Sequence, residues 1–386
     1  MGLSLLLVSL LLLVGSLSYV ASITAHGIEK NITVISNKTL ALKVPKYDLP
    51  SNFLSVLNES GPYAPMNLVI LGSDTRAGQG KGFGNVAGAR SDTAMLIHLN
   101  ATRTRGTIIS FPRDLWVAMP ACTNNQGGSE DKFNAIFAYG GPGCTTKGLT
   151  ALTGIPIDHV LVVDFKGFQK IVDNIGGLNV CLNYPINDDK AHIILPAGQQ
   201  KLNGTQALGL ARARYSLADG SDLQRIKRQQ AIVLLAAKQI KASGIVTSPL
   251  RLYSLSKVFA TALSVDPGLA TLPSLAGLAW QVKNLSLSQI QVMTVPYLVD
   301  SSGHYVIDHN LSDPIFQAII NDTAVPGEPA LDITPPVLKP KTQTKSSTAT
   351  PPLDPLANIH HPTRKSQVPS ATKVAPSGGL CQHPLF

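Results

Sequence analysis

Three short apolar runs lie close together in the first third of the chain, at residues 67–71, 93–99 and 106–111. Each is bounded by Gly, Asp, Asn or Arg. Brief apolar stretches between turn residues suit a sheet interior, so each predicts a buried strand. Every run carries a charged cluster at one end. Asp74 and Arg76 follow the first, Arg90 and Asp92 precede the second, and Arg113 and Asp114 follow the third. With the second strand antiparallel to the other two, all three clusters meet at one rim of the sheet. Carboxylates and guanidiniums gathered there suit a divalent cation and a phosphate, because carboxylate oxygen is a hard ligand and arginine a bidentate phosphate donor.

The pattern changes over 118–148, where Gly, Asn and Thr predict a loop region with one short helix-like stretch at 131–139. Cys122 and Cys144 flank it. A bridge between them would close a loop of about 23 residues and stabilise the fold by roughly 3 kcal/mol; the alternative is two buried thiols. Residues 148–183 read helix, strand, helix, strand, which argues for an α/β domain. In the second of these helices Phe168, Ile171, Val172 and Ile175 recur at helical spacing, and on periodicity alone that face is ordinary core. Helices follow over 205–212 and 223–242, the latter capped by Asp222. On it Arg225 and Gln229 share a face, and Arg228 lies one step round. Arg212 and Arg214 are two apart and face one side if that segment is extended. The plain alternative for this arginine-rich stretch is a solvated basic face. Two helices over 249–285, strands at 290–295 and 305–307, and a helix at 313–320 close the domain.

Four parts result. Residues 3–23 carry no charge, and a run of about 20 apolar residues spans a bilayer, so a membrane anchor is expected at 1–23, with a cleaved signal as the alternative. Residues 24–60 read as an extracytoplasmic stalk that enters the domain through a strand near 40–44. The globular domain spans 61–325. The tail, 326–386, is rich in Pro, Ser, Thr and Lys and predicts disorder. The chain is thus expected in the cell membrane as a single-pass protein with its domain outside the cytoplasm. The net charge of +9 favours acidic partners. No RNA-binding aromatic motif, zinc spacing, phosphate-loop signature or G-x-S-x-G is present, which turns the reading away from nucleic acid, nucleotide hydrolysis and serine hydrolysis. The pairing of Cys181 and Cys381, with each other or with another chain, is open.

The ordered motifs GSDTR (72–76), RSD (90–92), PRD (112–114), DKFNA (131–135), IGG (175–177), ARARY (211–215) and DLQRIKRQ (222–229) together resemble the LytR-CpsA-Psr family of bacterial cell-wall ligases, over roughly residues 65–325. Cys122 and Cys144 stand where actinobacterial members have a bridge. The resemblance implies one α/β domain with a central mixed sheet flanked by helices. It implies transfer of a glycopolymer from a polyprenyl-pyrophosphate carrier onto peptidoglycan through a phosphodiester bond, with the prenyl chain in an apolar tunnel near 165–175. Carried over by motif, Asp74 and Asp92 hold Mg²⁺ (Mn²⁺ as the alternative) and are catalytic with Arg113. Lys132, Arg212, Arg214, Arg225 and Gln229 hold the pyrophosphate. The residue pattern adds Arg76, Arg90 and Arg228 to that set. Ser221 replaces the Gly usual before Asp222. Two other activities use the same residues: hydrolysis of the lipid pyrophosphate, and non-catalytic holding of a lipid-linked polymer for a partner enzyme.

Overall fold

The computed structural model describes residues 29–36, 63–73, 90–122, 127–213 and 222–326. The expected anchor, the strand near 40–44, the tail, Asp74, Arg76, Arg214 and Cys381 lie outside the described residues. Among the described residues, no helix is long and apolar enough to cross a membrane.

The three apolar runs form the strands β2 (Met66–Ser73), β3 (Ser91–Leu99) and β4 (Gly106–Phe111). β3 is antiparallel to both neighbours, as the rim argument requires. The sheet is mixed and has seven strands, in the order β1 (Thr33–Val34), β12 (Leu263–Val265), β7 (His159–Val163), β2, β3, β4 and β13 (Ile290–Thr294). β1 pairs in parallel with β12 at the edge, so part of the stretch expected as a stalk belongs to the sheet. β12 was not foreseen either: three residues between two helices carry too little pattern to stand out, and their pairing with β7 is what makes them a strand.

Alternation along β2 fixes the layers. Val69 and Leu71 pack on one side with Phe133 and Ile136 of α1 (Phe133–Thr153) and Ile315, Phe316 and Ile319 of α7 (His309–Ile320). Leu68 faces the other side, with residues of α5 (Pro249–Ala262) and α6 (Leu272–Gln281). A further core joins α2 (Phe165–Asn174), α3 (Gly204–Arg212) and α4 (Asp222–Ala242) to the small hairpins β8 (Leu178–Leu182) with β11 (Gly198–Leu202) and β9 (Ile186–Asp188) with β10 (Ile193–Leu195). β8 thus lies outside the central sheet.

The expected loop region over 118–148 is more ordered than its composition suggests. β5 (Trp116–Ala118) pairs with β6 (Glu130–Lys132), and α1 follows at once. α1 is broken at Gly140 and Gly141, the latter at φ 66°, just before Pro142. The Cys122–Cys144 disulfide forms there, with Cα atoms 5.8 Å apart. A Cβ on Gly140 would stand 2.6 Å from Cys144 Cβ, so the bridge needs glycine at this position. Cys181 is also disulfide-bonded. The last pair of strands, β14 (Tyr297–Val299) and β15 (Tyr305–Ile307), forms a hairpin beyond β13. α7 starts four residues before its expected first residue because Asp308 caps it, accepting from Asn310 N–H.

Candidate active site

The β2–β3 ladder slips at the charged rim. Gly72 pairs with Thr93 and Ser73 with Ser91, which leaves Asp92 as the unpaired residue of a bulge. A bulge re-aims the side chain it carries, and here it sets Asp92 in the wall of a cavity of about 270 Å³. Arg113 follows β4 on the next strand over, and its Nη1 donates to Asp92 Oδ1 at 2.9 Å. Its Nε lies 3.4 Å from Asp114 Oδ2 and 3.4 Å from Asp222 Oδ1. Asp222 opens α4 and stands 2.6 Å from Arg225 Nη2, one turn on. Lys132 Nζ donates to Asp114 Oδ1 at 2.9 Å. Charges therefore alternate along the rim from Lys132 through Asp114, Arg113 and Asp222 to Arg225, with Asp92 as a branch.

Burial alone would lower the Arg113 pKa. The Asp92 hydrogen bond and the charges of Asp222, Asp92 and Asp114 outweigh it, so the guanidinium is held more firmly protonated than usual. Burial would raise Asp114, but the Lys132 hydrogen bond and the Arg113 charge prevail and hold it below its ordinary value.

The cavity is mostly apolar. Ile70, Met95, Phe165, Phe168, Leu208, Ile232 and Val233 line it, and Asp92, Asp164, Arg212, Arg225 and Gln229 supply its charged and polar wall. Helix α2 therefore divides its labour. Phe165 and Phe168 face the cavity, while Val172 and Ile175 belong to the core. Arg212 ends α3, as the expected helix over 205–212 has it, and its guanidinium lies 4.6 Å over the Phe165 ring. α3 is set by a capping box between Asn203 and Gln206. It packs so closely on α2 that a Cβ on Gly204 would stand 2.4 Å from the Gln169 carbonyl oxygen.

Of the other expected residues, Arg90 is exposed at the head of β3. Arg228 is 2% exposed and donates through Nη2 to the Ala213 carbonyl, which ties α4 to the end of α3. Two acids had not been singled out as site residues, Asp114 and Asp222. The signals were present: Asp114 adjoins Arg113, and Asp222 precedes Arg225 by one helical turn.

A family model described as the LytR_cpsA_psr family matches residues 32–319. The chain belongs to this family. Among LytR_cpsA_psr relatives, the cell wall biosynthesis protein LcpA of Corynebacterium glutamicum is 27% identical over 293 residues, covering 66% of this chain and 56% of LcpA. The polyisoprenyl-teichoic acid–peptidoglycan teichoic acid transferase TagT of Bacillus subtilis is 31% identical over 173 residues, covering 43% of this chain and 50% of TagT. The chain thus spans about half the length of these curated relatives. A LytR-Csp2A-Psr enzyme of Actinomyces oris superposes with a TM-score of 0.52 at 25% identity, over 69% of this chain and 95% of that one.

Proposed function

We propose that this protein transfers a glycopolymer from a polyprenyl-pyrophosphate carrier onto a peptidoglycan hydroxyl, forming a phosphodiester. The observation that carries this reading is the position of Arg113, fixed by carboxylates beside a cavity that is apolar in its body and presents Arg212, Arg225 and Gln229 in its wall. A lipid pyrophosphate has the same division, a hydrocarbon chain joined to a compact anion. The names of LcpA and TagT support the reading.

In this mechanism the prenyl chain lies against Phe165, Phe168 and Ile232, and Arg212, Arg225 and Gln229 bind the pyrophosphate. The acceptor hydroxyl oxygen bonds to the phosphorus that bears the glycan. The bond from that phosphorus to the bridging oxygen breaks, and polyprenyl phosphate leaves. The hydroxyl proton passes to a rim carboxylate, for which Asp92 and Asp74 are the expected candidates. Arg113 neutralises charge that grows on the phosphoryl oxygens, a role in which one fixed donor commonly contributes about 3 kcal/mol. Magnesium fits the donor chemistry here. It is commonly held by one or two carboxylates, with substrate phosphates and water supplying the rest. Asp92, whose side chain is 35% exposed, and Asp74 would hold the ion. Bound there, it would screen the pyrophosphate charge. The expected anchor at 3–23 places the protein in the membrane that carries such a lipid, with its domain outside the cytoplasm.

The test is turnover of a short-chain prenyl-pyrophosphate sugar with Mg²⁺, with and without peptidoglycan oligomers. We expect sugar phosphate linked to the oligomer, falling roughly 100-fold or more in Arg113→Ala. Release of free sugar phosphate regardless of oligomer would identify a hydrolase instead. Tight binding without turnover would identify a scaffold.

A further inference from the structure

The segment that carries Arg113 also touches a group of aromatic side chains that the pyrophosphate chemistry does not use. Leu115 bridges in parallel to Tyr305 of β15, which brings the β14–β15 hairpin against the chain two residues past Arg113. Tyr297 packs edge-on against Tyr305, with centroids 5.2 Å apart and planes at 70°. His304 stacks on Trp116 of β5 at 4.1 Å and 4°. Both stacked rings are tied from behind: Trp116 Nε1 donates to Glu130, and the His304 backbone N–H donates to Asp300. Tyr305 is 41% exposed. Burial, with smaller contributions from Tyr305 and the Asp222 charge, raises the Tyr297 pKa. The ledge therefore adjoins the chain two residues past Arg113.

Sheet order places it opposite the lipid cavity. The cavity is built over β7, β2 and β3; Arg113 follows β4, and Tyr297 follows β13, the next strand out. Along the rim the sequence is cavity, Arg113, ledge. Displacement at phosphorus runs roughly in line, with the entering and leaving oxygens on opposite sides. If polyprenyl phosphate leaves toward the cavity, the acceptor enters from the ledge.

We propose that Tyr297, Tyr305, Trp116 and His304 form the acceptor subsite, on which a glycan strand lies with one hydroxyl directed at the phosphorus beside Arg113. This rests on the transferase reading. Pyranose rings present C–H faces that stack on aromatic rings, and hydroxyl edges that need polar neighbours, which Glu130, Lys132 and Asp300 supply. Aromatic rings give large contact area at small entropy cost, and pinned ones give it at less. The site's own chemistry argues for a glycan rather than a protein, since the ledge adjoins the segment of Arg113, beside which a sugar hydroxyl must react.

Two measurements on the full chain test this. In the first, Trp280→Phe leaves Trp116 as the only tryptophan of the two in the chain, and its fluorescence is followed on titration with peptidoglycan oligomers. We expect a saturable change, also given by glycan strands stripped of their peptide stems and lost on adding Tyr305→Ala. No change, or a response to stem peptides alone, overturns the proposal. In the second, Tyr305→Ala is expected to raise the KM for the oligomer about tenfold while donor affinity stays within twofold, with Tyr305→Phe close to wild type. An unchanged oligomer KM overturns the proposal. Binding at Trp116 without any transfer by the wild type would instead defeat the transferase reading and leave the glycan site standing.

Discussion

Arg113 is held from three directions, by Asp92, Asp114 and Asp222, and this fixes the fork of its guanidinium before any substrate arrives. A lysine keeps the charge but presents a single point, so it cannot hold Asp92 and Asp222 together. We expect Arg113→Lys to lower kcat by roughly 100-fold while the donor KM changes little, as measured by steady-state turnover. Asp114 sets a pH dependence. Its folded pKa is depressed, so the unfolded chain binds the proton more readily. The stability it contributes is present above the ordinary carboxylate value and is lost as pH falls through the depressed one. Acid unfolding followed by circular dichroism should therefore shift less in Asp114→Asn than in the wild type. Arg228 behaves differently from its neighbours. Removing it leaves the Ala213 carbonyl without this donor, and Arg228→Ala should cost about 2–4 kcal/mol in urea unfolding. Its sequence position gave no sign of this. One step round a helix separates Gln229, which lines the cavity, from Arg228, which does not, and only the packing of α3 decides which way each points.

Among the elements, the short apolar runs with charged ends were readable, because composition and turn residues alone mark β2, β3 and β4. Their antiparallel centre followed from asking where the charges meet. The bulge at Asp92 was not readable, since a register slip is a property of two strands and leaves no mark on one. Nor were β1 and β12, whose two and three residues become strands only through their partners. The region over 118–148 misled by its glycines. They are needed for a helix break and a disulfide rather than for a loop, as Gly140 shows. Cys144→Ser should lower unfolding stability by roughly 3 kcal/mol, since the bridge closes a separation of 22 residues. The check is denaturation of the variant beside the wild type, both under oxidising conditions, which keep the Cys181 bridge in each.

At the scale of the molecule, the sheet puts the chemistry at one rim and leaves the opposite rim to ordinary packing. The cavity beneath the rim is the part that periodicity did not reveal: of the α2 face that reads as core, Phe168 also lines the cavity, while Val172 and Ile175 are core as read. A bulky side chain on the α4 wall of the cavity tests the lining role. Val233→Trp should raise the KM for a prenyl-pyrophosphate donor about tenfold and leave inhibition by inorganic pyrophosphate unchanged, which separates the chain's site from the anion's. The edge strand β1 has a consequence for reach. Were residues 24–60 a free stalk, the domain could range far from a bilayer. Thr33 is instead pinned in the sheet beside Ser264. With a membrane span ending near residue 23, about ten residues remain, and at roughly 3.5 Å each they extend no more than about 35 Å. A chain anchored in this way would be on a short leash: a reactor moored at the surface from which the proposed lipid would rise, to which the wall would have to come.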